Sequence, residues 1–557
     1  MQMQVGWSNT LTLIGLLGLT LTMVEAGNIS SSNASTTTVT QTSATTGSAS
    51  DSMRQELDQL KRQMQAIQDR IQELEKPPAE KPAGEPARPA TEPGRATPQP
   101  EQPPAVPAAP SPVYGNILPG VRLGGYGSFR FEGSSLKDVN DTFTYRRFVL
   151  SVDANIAERL RSGVEIELER FTELELERTT SPSNGGLGVE QAVGGSDESE
   201  LSVEQAWLEY ELEPWLRFQG GMVLVPIGRF NLHHDDNLWD LPRRSLIDTG
   251  IPVLPIRAAW SEVGMGFVGD IPAGPGTLSY HLYAMNGATL DTELETIAQT
   301  RTDDRNVIEI EAKLQPVRGT ANIDLKNGKA FAGRVAYNLI PDYELGLSGY
   351  YGRYTPQFLS SQPVWAFGVD GKATFGGLEV QAEYIYSHFS NISKVANSLA
   401  QVAFTQAAEI PDIASPNLEV ELEFELAQLA TVKNGYWLSL RYPFSPDWLR
   451  NSILGRKFAN PQLIPVVRWE QAWLNGLLSN LAFENGVVTE LERENRFVDR
   501  ITVGLAYRPV PLVVFQLAYE YTWTNHGKSL AEVTNFLPAQ PGENTASAVL
   551  VGVAFGF

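Results

Sequence analysis

Residues 546–557 read ASAVLVGVAFGF. In an extended chain successive side chains point to opposite faces, so Ser547, Val549, Val551, Val553, Phe555 and Phe557 share one face. The same period of two appears at 121–132, VRLGGYGSFRFE, where Val121, Leu123, Phe129 and Phe131 fall on one side. Arg122, Tyr126, Ser128, Arg130 and Glu132 fall on the other, which is an apolar-out, polar-in alternation. Between these two stretches it recurs at 148–154, 164–169, 206–212, 216–222, 262–269, 278–284, 331–339, 345–351, 365–375, 378–388, 436–442, 463–471, 501–508 and 513–523. With the two ends, sixteen segments carry the pattern.

One such segment is weak evidence; the lengths of the connections say more. Short links (155–160, 213–215, 270–276, 340–342, 376–377, 509–511) alternate with long ones (174–200, 287–329, 389–433, 475–496). Short turns at one end and long loops at the other are the mark of an outer-membrane barrel, with both termini at the periplasmic end. The link at 443–462 is too long for a tight turn and leaves room for a count off by two. Trp207, Tyr210, Trp215, Tyr343, Tyr351, Trp365, Trp437, Tyr442, Trp473, Tyr507 and Trp523 lie near segment ends, where amphipathic rings suit the boundary of lipid and water. A terminal aromatic strand ending on Phe resembles the signal by which such barrels are recognised for insertion. The expected fold is all-β: a transmembrane antiparallel barrel of about 16 strands at 113–557, in the outer membrane of a Gram-negative-type bacterium. Sixteen strands enclose an aqueous channel rather than a filled core.

Upstream the composition changes three times. The apolar run 10–24, followed by Val24-Glu25-Ala26, fits a signal peptide at 1–26, although residues 1–10 lack the usual Lys or Arg. A Ser/Thr-rich leader at 27–50 has almost no apolar side chain to bury. Over 51–76, Met53, Leu57, Leu60, Met64, Ile67, Ile71 and Leu74 follow a 4-3-4-3 spacing, the seam of a coiled coil about 39 Å long. The stretch 77–112 holds 13 prolines and forms a semi-rigid spacer reaching roughly 110 Å. The coiled coil is expected in the periplasm, as an oligomerisation stalk.

A formal charge of −22 argues against nucleic acid as a partner, since phosphate binding needs a basic surface. The absence of cysteine suits an oxidising compartment. On the parity above Arg122, Arg130, Arg147, Arg334, Arg441, Arg468 and Arg500 project inward, together with Glu165, Glu167, Glu169, Glu379, Glu383, Glu470 and Glu520. These charges either line a pore or merely pair across strands. His233, His234, Asp235 and Asp236 have metal-ligand chemistry, yet adjacent loop residues rarely converge on one ion, so a polar loop is expected and no metal or cofactor. No Ser-His-Asp spacing or nucleophile elbow stands out, so an enzyme is not expected.

Several stretches are similar to the phosphate-selective porin O and P family: YRRFVLSVDANIAERLRSGVEIELE (145–169), VEQAWLEYELEPWLRFQGGMVLVPIGRFN (203–231), PRRSLID (242–248), KAFAGRVAYNLI (329–340) and the closing strand. The resemblance implies a trimeric sixteen-stranded pore with its third loop folded inward. By that resemblance Arg243 and Arg244, after the fifth strand, are the candidates for the constriction; pairing with Asp240 and Asp248 inside the loop is the alternative. The pore-lining candidates are Arg122, Arg130, Arg147, Glu165, Glu167, Glu169, Arg334, Arg441, Arg468 and Arg500. The expected function is passive diffusion of small hydrophilic solutes, anions such as phosphate among them, by a homotrimer embedded in outer-membrane lipid. The row Glu165, Glu167, Glu169 also fits a general or cation-preferring porin. A third reading is an envelope protein whose coiled coil tethers the outer membrane to the periplasm or peptidoglycan.

Overall fold

The computed structural model describes residues 115–557, apart from 119, 137–139, 170–173, 184–185, 196–199, 249–252, 293, 302–305, 314, 320–327, 340–342, 410–417, 426–428, 485–486 and 526–543. The expected signal peptide, leader, coiled coil and Pro-rich spacer lie outside the described residues.

Sixteen strands form one closed antiparallel sheet: β1 (Val121–Ser134), β2 (Thr142–Ala157), β3 (Leu160–Glu169), β4 (Glu200–Glu213), β5 (Leu216–Leu224), β6 (Ser261–Ala273), β7 (Gly276–Met285) and β8 (Ala330–Leu339) make the first half. The second half is β9 (Tyr343–Arg353), β10 (Pro363–Phe375), β11 (Leu378–Phe389), β12 (Ala430–Arg441), β13 (Gln462–Glu484), β14 (Val487–Val510), β15 (Val513–Thr524) and β16 (Thr545–Gly556). Each strand pairs with its sequence neighbour, and β16 returns to β1, so no hydrogen-bonding edge is left open. Phe557 completes that seam: its amide donates to the Gly125 carbonyl at 3.0 Å, and its carbonyl accepts from Gly125 N at 3.2 Å. Its ring stacks on Phe148 and that of Phe555 on Phe129, the centroids 5.7 and 6.0 Å apart. The closing strand is therefore the clasp of the barrel.

The alternation sorts the wall as the sequence implies. Phe129, Phe267, Leu282, Leu345, Leu347, Val503, Leu505, Leu517 and Val551 are exposed on the outside, a band of apolar surface that only lipid can cover cheaply. Residues of the opposite parity, among them Ser128, Arg130, Arg334, Ser348, Arg468, Thr502 and Thr522, are buried. Trp437 departs from the expected aromatic belt. It shares the inner parity of Lys433 and Ser439 and is fully buried, 5.5 Å edge-on to Trp239.

Six of the seven links at one end, the turn end, are two or three residues long. The seventh, 442–461 between β12 and β13, holds a short helix, α3 (Asp447–Asn451). It is a long excursion, and the count stays at sixteen. At the loop end, a short helix, α1 (Arg229–Leu232), starts an insert after β5, and an 18-residue helix, α2 (Ile392–Glu409), follows β11. The apolar face of α2 (Ile392, Val395, Leu399) is buried among Phe389, Leu429, Leu474 and Val498.

Candidate functional site

The third loop, 225–260, runs into the barrel. Its sequence is unusually apolar for a loop: Val225, Ile227, Phe230, Ile247, Val253, Leu254 and Trp260 are fully buried. They join one cluster with Val223, Tyr350, Ala366, Ile385 and Phe389 from the inner faces of β5, β9, β10 and β11. Burying these side chains offsets part of the backbone entropy of holding the loop in place. At this height the lumen is packed with side chains, where strand number alone implied water. The loop's two ends are tied to each other: Asn231 Nδ2 donates to Val225 O (2.8 Å) and Trp260 O (3.1 Å), and Trp260 N donates to Asn231 Oδ1 (2.8 Å). Gly228 permits the entry turn. Its φ is +70°, its amide donates to Ser348 Oγ at 3.0 Å, and a Cβ there would meet Glu383 Oε1 at 1.9 Å.

Arg243 and Arg244 both sit on this loop, 4% and 6% exposed. Arg243 reaches the wall, pairing with Glu132 of β1 and, through Nε at 3.0 Å, with Glu520 of β15. Arg244 pairs within the loop with Asp248 at 3.0 Å and donates to Ala258 O at 3.0 Å. Asp240, the other acid expected as an internal partner, is taken by wall arginines instead: Arg441 at 2.7 Å and Arg508 at 2.7 Å. Three expected pore-lining arginines donate to loop carbonyls: Arg130 to Pro242 O (3.3 Å), Arg468 to Arg243 O (3.4 Å) and Arg500 to Arg244 O (2.8 Å). A guanidinium carries five donors, so one arginine can hold a carboxylate and a carbonyl together. Arg500 does so, with Glu470 at 2.9 Å.

The row of glutamates on β3 is largely neutralised. Arg147 of β2 bridges Glu167 (2.7 Å) and Glu169 (3.2 Å), Arg146 adds a contact to Glu169, and Glu165 accepts from Ser151 and Gln205. Arg334 pairs with Asp370 (2.5 Å) and Glu344 (2.9 Å). Arg122 is exposed at the start of β1. Of the four loop residues with metal-ligand chemistry, His234 turns Nε2 to Glu204 of β4 at 3.3 Å. Burial opposes its charge, but Glu204 and then Asp235 prevail and hold it up at about 9. Burial, with Arg229 beside it, holds His233 down at about 3. Asp236 accepts from Ser128 Oγ at 2.6 Å; burial raises its carboxyl, but Arg147 and Arg244 outweigh that and lower it.

On the turn-end side of the loop lies a cavity of about 420 Å³. Arg229, His233, Asn237 and Trp239 of the loop roof it; Lys372, Gln381, Arg441, Gln462 and Arg508 of the wall, with Ala459 and Asn460 of the long turn, complete it. Among the described residues, four of those lining it are Lys or Arg, and none is Asp or Glu. The carboxylates that balance them are not among the lining residues: Glu344 with Arg229 (2.7 Å), Glu379 with Lys372 (3.4 Å) and Arg441 (2.8 Å), Asp240 with Arg441 and Arg508. Lys372, Arg229 and Arg508 were not singled out by sequence. Lys372 follows Asp370 at the same parity, a signal available in the sequence; Arg508 lies one residue before a proline turn, where parity is hard to assign.

No family model matches the chain. It is 27% identical over 243 residues to an uncharacterized protein of Aquifex aeolicus, covering 43% of this chain and 46% of that protein. The chain thus spans about half the length of the curated relative it matches. Among solved structures it is similar to an anion-selective porin from Comamonas acidovorans (11% identity, 78% of this chain, 99% of that chain, TM-score 0.41). It is also similar to Salmonella typhi OmpF (11%, 79%, 98%, 0.41) and to the outer membrane channel DcaP of Acinetobacter baumannii (9%, 79%, 98%, 0.37). These scores are too low to carry an argument about function.

Proposed function

We propose that the barrel is an outer-membrane porin for passive diffusion of small hydrophilic solutes, with a preference for anions such as phosphate, working as a homotrimer. The observation that carries this reading is the cavity beneath the third loop, whose charged lining residues, among those described, are four cations, each paired with a carboxylate outside the lining. Cations facing water, already partly neutralised, lower the entry barrier for an anion without holding it so tightly that exit slows. Arg243 and Arg244 act in this scheme through the loop they fasten, and the pairing of Glu167 and Glu169 with Arg147 takes the acid row out of the selectivity. The test is the reversal potential of the purified protein in a planar bilayer under a KCl gradient. Anion preference is expected, and Lys372→Gln with Arg441→Gln moves the potential toward the cation value. No conductance, or cation preference in the unaltered protein, overturns the proposal.

The heptad seam at 51–76 followed by the Pro-rich spacer favours a second role, tethering the barrel to the periplasm or peptidoglycan. Deletion of 51–76 tests it: an envelope unchanged in integrity removes its support.

A further inference from the structure

Segment 442–461 is twenty residues long where the other turn-end links need two or three, and its composition is unlike a solvent-facing turn. Ile453 is 81% exposed, Trp448 64%, Leu454 58% and Phe458 41%. Monomeric surfaces rarely leave so many large apolar groups together in water. Interleaved with them are exposed Arg450, Arg456 and Lys457; the one acid, Asp447, lies 3.5 Å from Arg450. Arg456 and Lys457 have no side-chain partner among the described residues. This is a net positive segment in a chain of formal charge −22.

Its position says what covers it. Tyr442 and Phe444, at its start, continue the outward face of β12, their rings 6.1 Å apart. Tyr507, on the outward parity of β14 and stacked on Phe515 (6.0 Å), donates its hydroxyl to Leu454 O. The segment is thus fastened to the rim of the apolar band, where acyl chains give way to headgroups. Aromatic and aliphatic side chains alternating with Lys and Arg suit that boundary: the apolar groups enter the hydrocarbon edge and the cations meet phosphate.

We propose that 442–461 is a membrane anchor at the turn end of the barrel, seating Trp448, Ile453, Leu454 and Phe458 in the adjoining leaflet and holding anionic phospholipid headgroups with Arg450, Arg456 and Lys457. Ala459 and Asn460 at its far end line the cavity, so the anchored segment also holds part of the cavity wall. The inference needs only the membrane-spanning barrel, and stands or falls apart from the porin reading.

The chain has no cysteine, so Ile453→Cys places a single environment-sensitive fluorophore in the full-length protein. The protein is reconstituted in mixed phosphatidylcholine and phosphatidylglycerol vesicles in which one lipid or the other carries a brominated quencher. Expected are blue-shifted emission, protection from iodide, and quenching about two-fold stronger by brominated phosphatidylglycerol than by brominated phosphatidylcholine. Arg450→Gln, Arg456→Gln and Lys457→Gln together are expected to remove the preference while leaving the label in lipid. Iodide-accessible, unquenched label overturns the proposal. So does a buried label that brominated lipid does not quench and that becomes accessible when protein is diluted in lipid, the signature of a contact between copies. Equal quenching by both lipids in the parent protein overturns the headgroup half. Misfolding is monitored by the heat-modifiable mobility of the barrel, with a label at Phe358, exposed at the loop end, as a second site.

Discussion

Replacing Gly228 by alanine isolates the docking of the third loop from the integrity of the wall. The backbone there has φ of +70°, which costs a residue with a Cβ about 1–2 kcal/mol. The new methyl would stand 1.9 Å from Glu383 Oε1, so that carboxylate must withdraw. The other oxygen, Oε2, accepts from Phe230 N at 3.2 Å and Trp437 Nε1 at 2.7 Å, so moving the whole carboxylate loosens these bonds, and leaving a buried donor unpaired costs about 1–3 kcal/mol. The sum, about 2–5 kcal/mol, falls on the docked loop and raises the undocked population by roughly thirty-fold to several thousand-fold at 1.4 kcal/mol per decade. Trypsin provides the assay. Arg243 and Arg244 are almost wholly buried when the loop is docked, so cleavage after either reports undocking. The expected result is faster cleavage there, with larger and noisier single-channel currents and an unaltered heat-modifiable barrel. Ser348→Ala, which removes the acceptor for Gly228 N and a long bond to Gly368 O (3.4 Å), is expected to have a smaller effect, about 1 kcal/mol. Cleavage at the parent's rate, with unchanged conductance, refutes the assignment of Gly228 as the hinge of the insert.

The contact of His234 with Glu204 carries a pH dependence of definite sign. With its pKa raised from 6.5 to about 9, protonated His234 stabilises the docked loop fully below about 6.5, and that stabilisation is lost as pH rises through about 9. Tryptic sensitivity at Arg243 and Arg244 is expected to climb over that window, and Glu204→Gln flattens the climb; a parent with a flat profile refutes the pairing. Asp240→Asn frees Arg441 and Arg508 of their shared carboxylate, and the reversal potential is expected to move further toward anions; movement toward cations counts against the cavity as the selecting element. Deleting 51–76 is expected to weaken the oligomer in detergent, read by light scattering after size exclusion, and an unchanged mass counts against the stalk.

The wall was legible because period-two alternation is a local signal: each strand states its own inner and outer face. All sixteen expected segments fall on observed strands, two of them (436–442 and 546–557) running one residue past the strand end, and Phe557 pairs with Gly125 across the closing seam. Less legible was the inside. Parity places Arg130, Arg468 and Arg500 inward, but an inward arginine is the same residue whether it meets water, a carboxylate or a carbonyl, and the loop carbonyls these three meet lie over a hundred residues away. Trp437 shows the converse error. Its nearness to a segment end suggested the belt, although its parity already assigned it inside.

The apolar content of 225–260 was the signal that went unused. A loop carrying Val225, Ile227, Phe230, Leu246, Ile247, Val253, Leu254 and Trp260 cannot stay in water without a large penalty, and inside a barrel the inner wall is the one surface within its reach. Most of the wall's buried charge then has a structural task. Taking an ion pair out of water gains little by itself, but leaving one partner unpaired after the loop docks costs several kcal/mol. Arg147 with Glu167 and Glu169, Arg500 with Glu470, and Arg243 with Glu132 and Glu520 thus fix the register in which the loop can lie. Charges paired in this way away from the cavity do not meet a passing ion, so the proposed selectivity depends neither on the total of −22 nor on the glutamate row. It falls to the side chains that still face the cavity, Arg229, Lys372, Arg441 and Arg508.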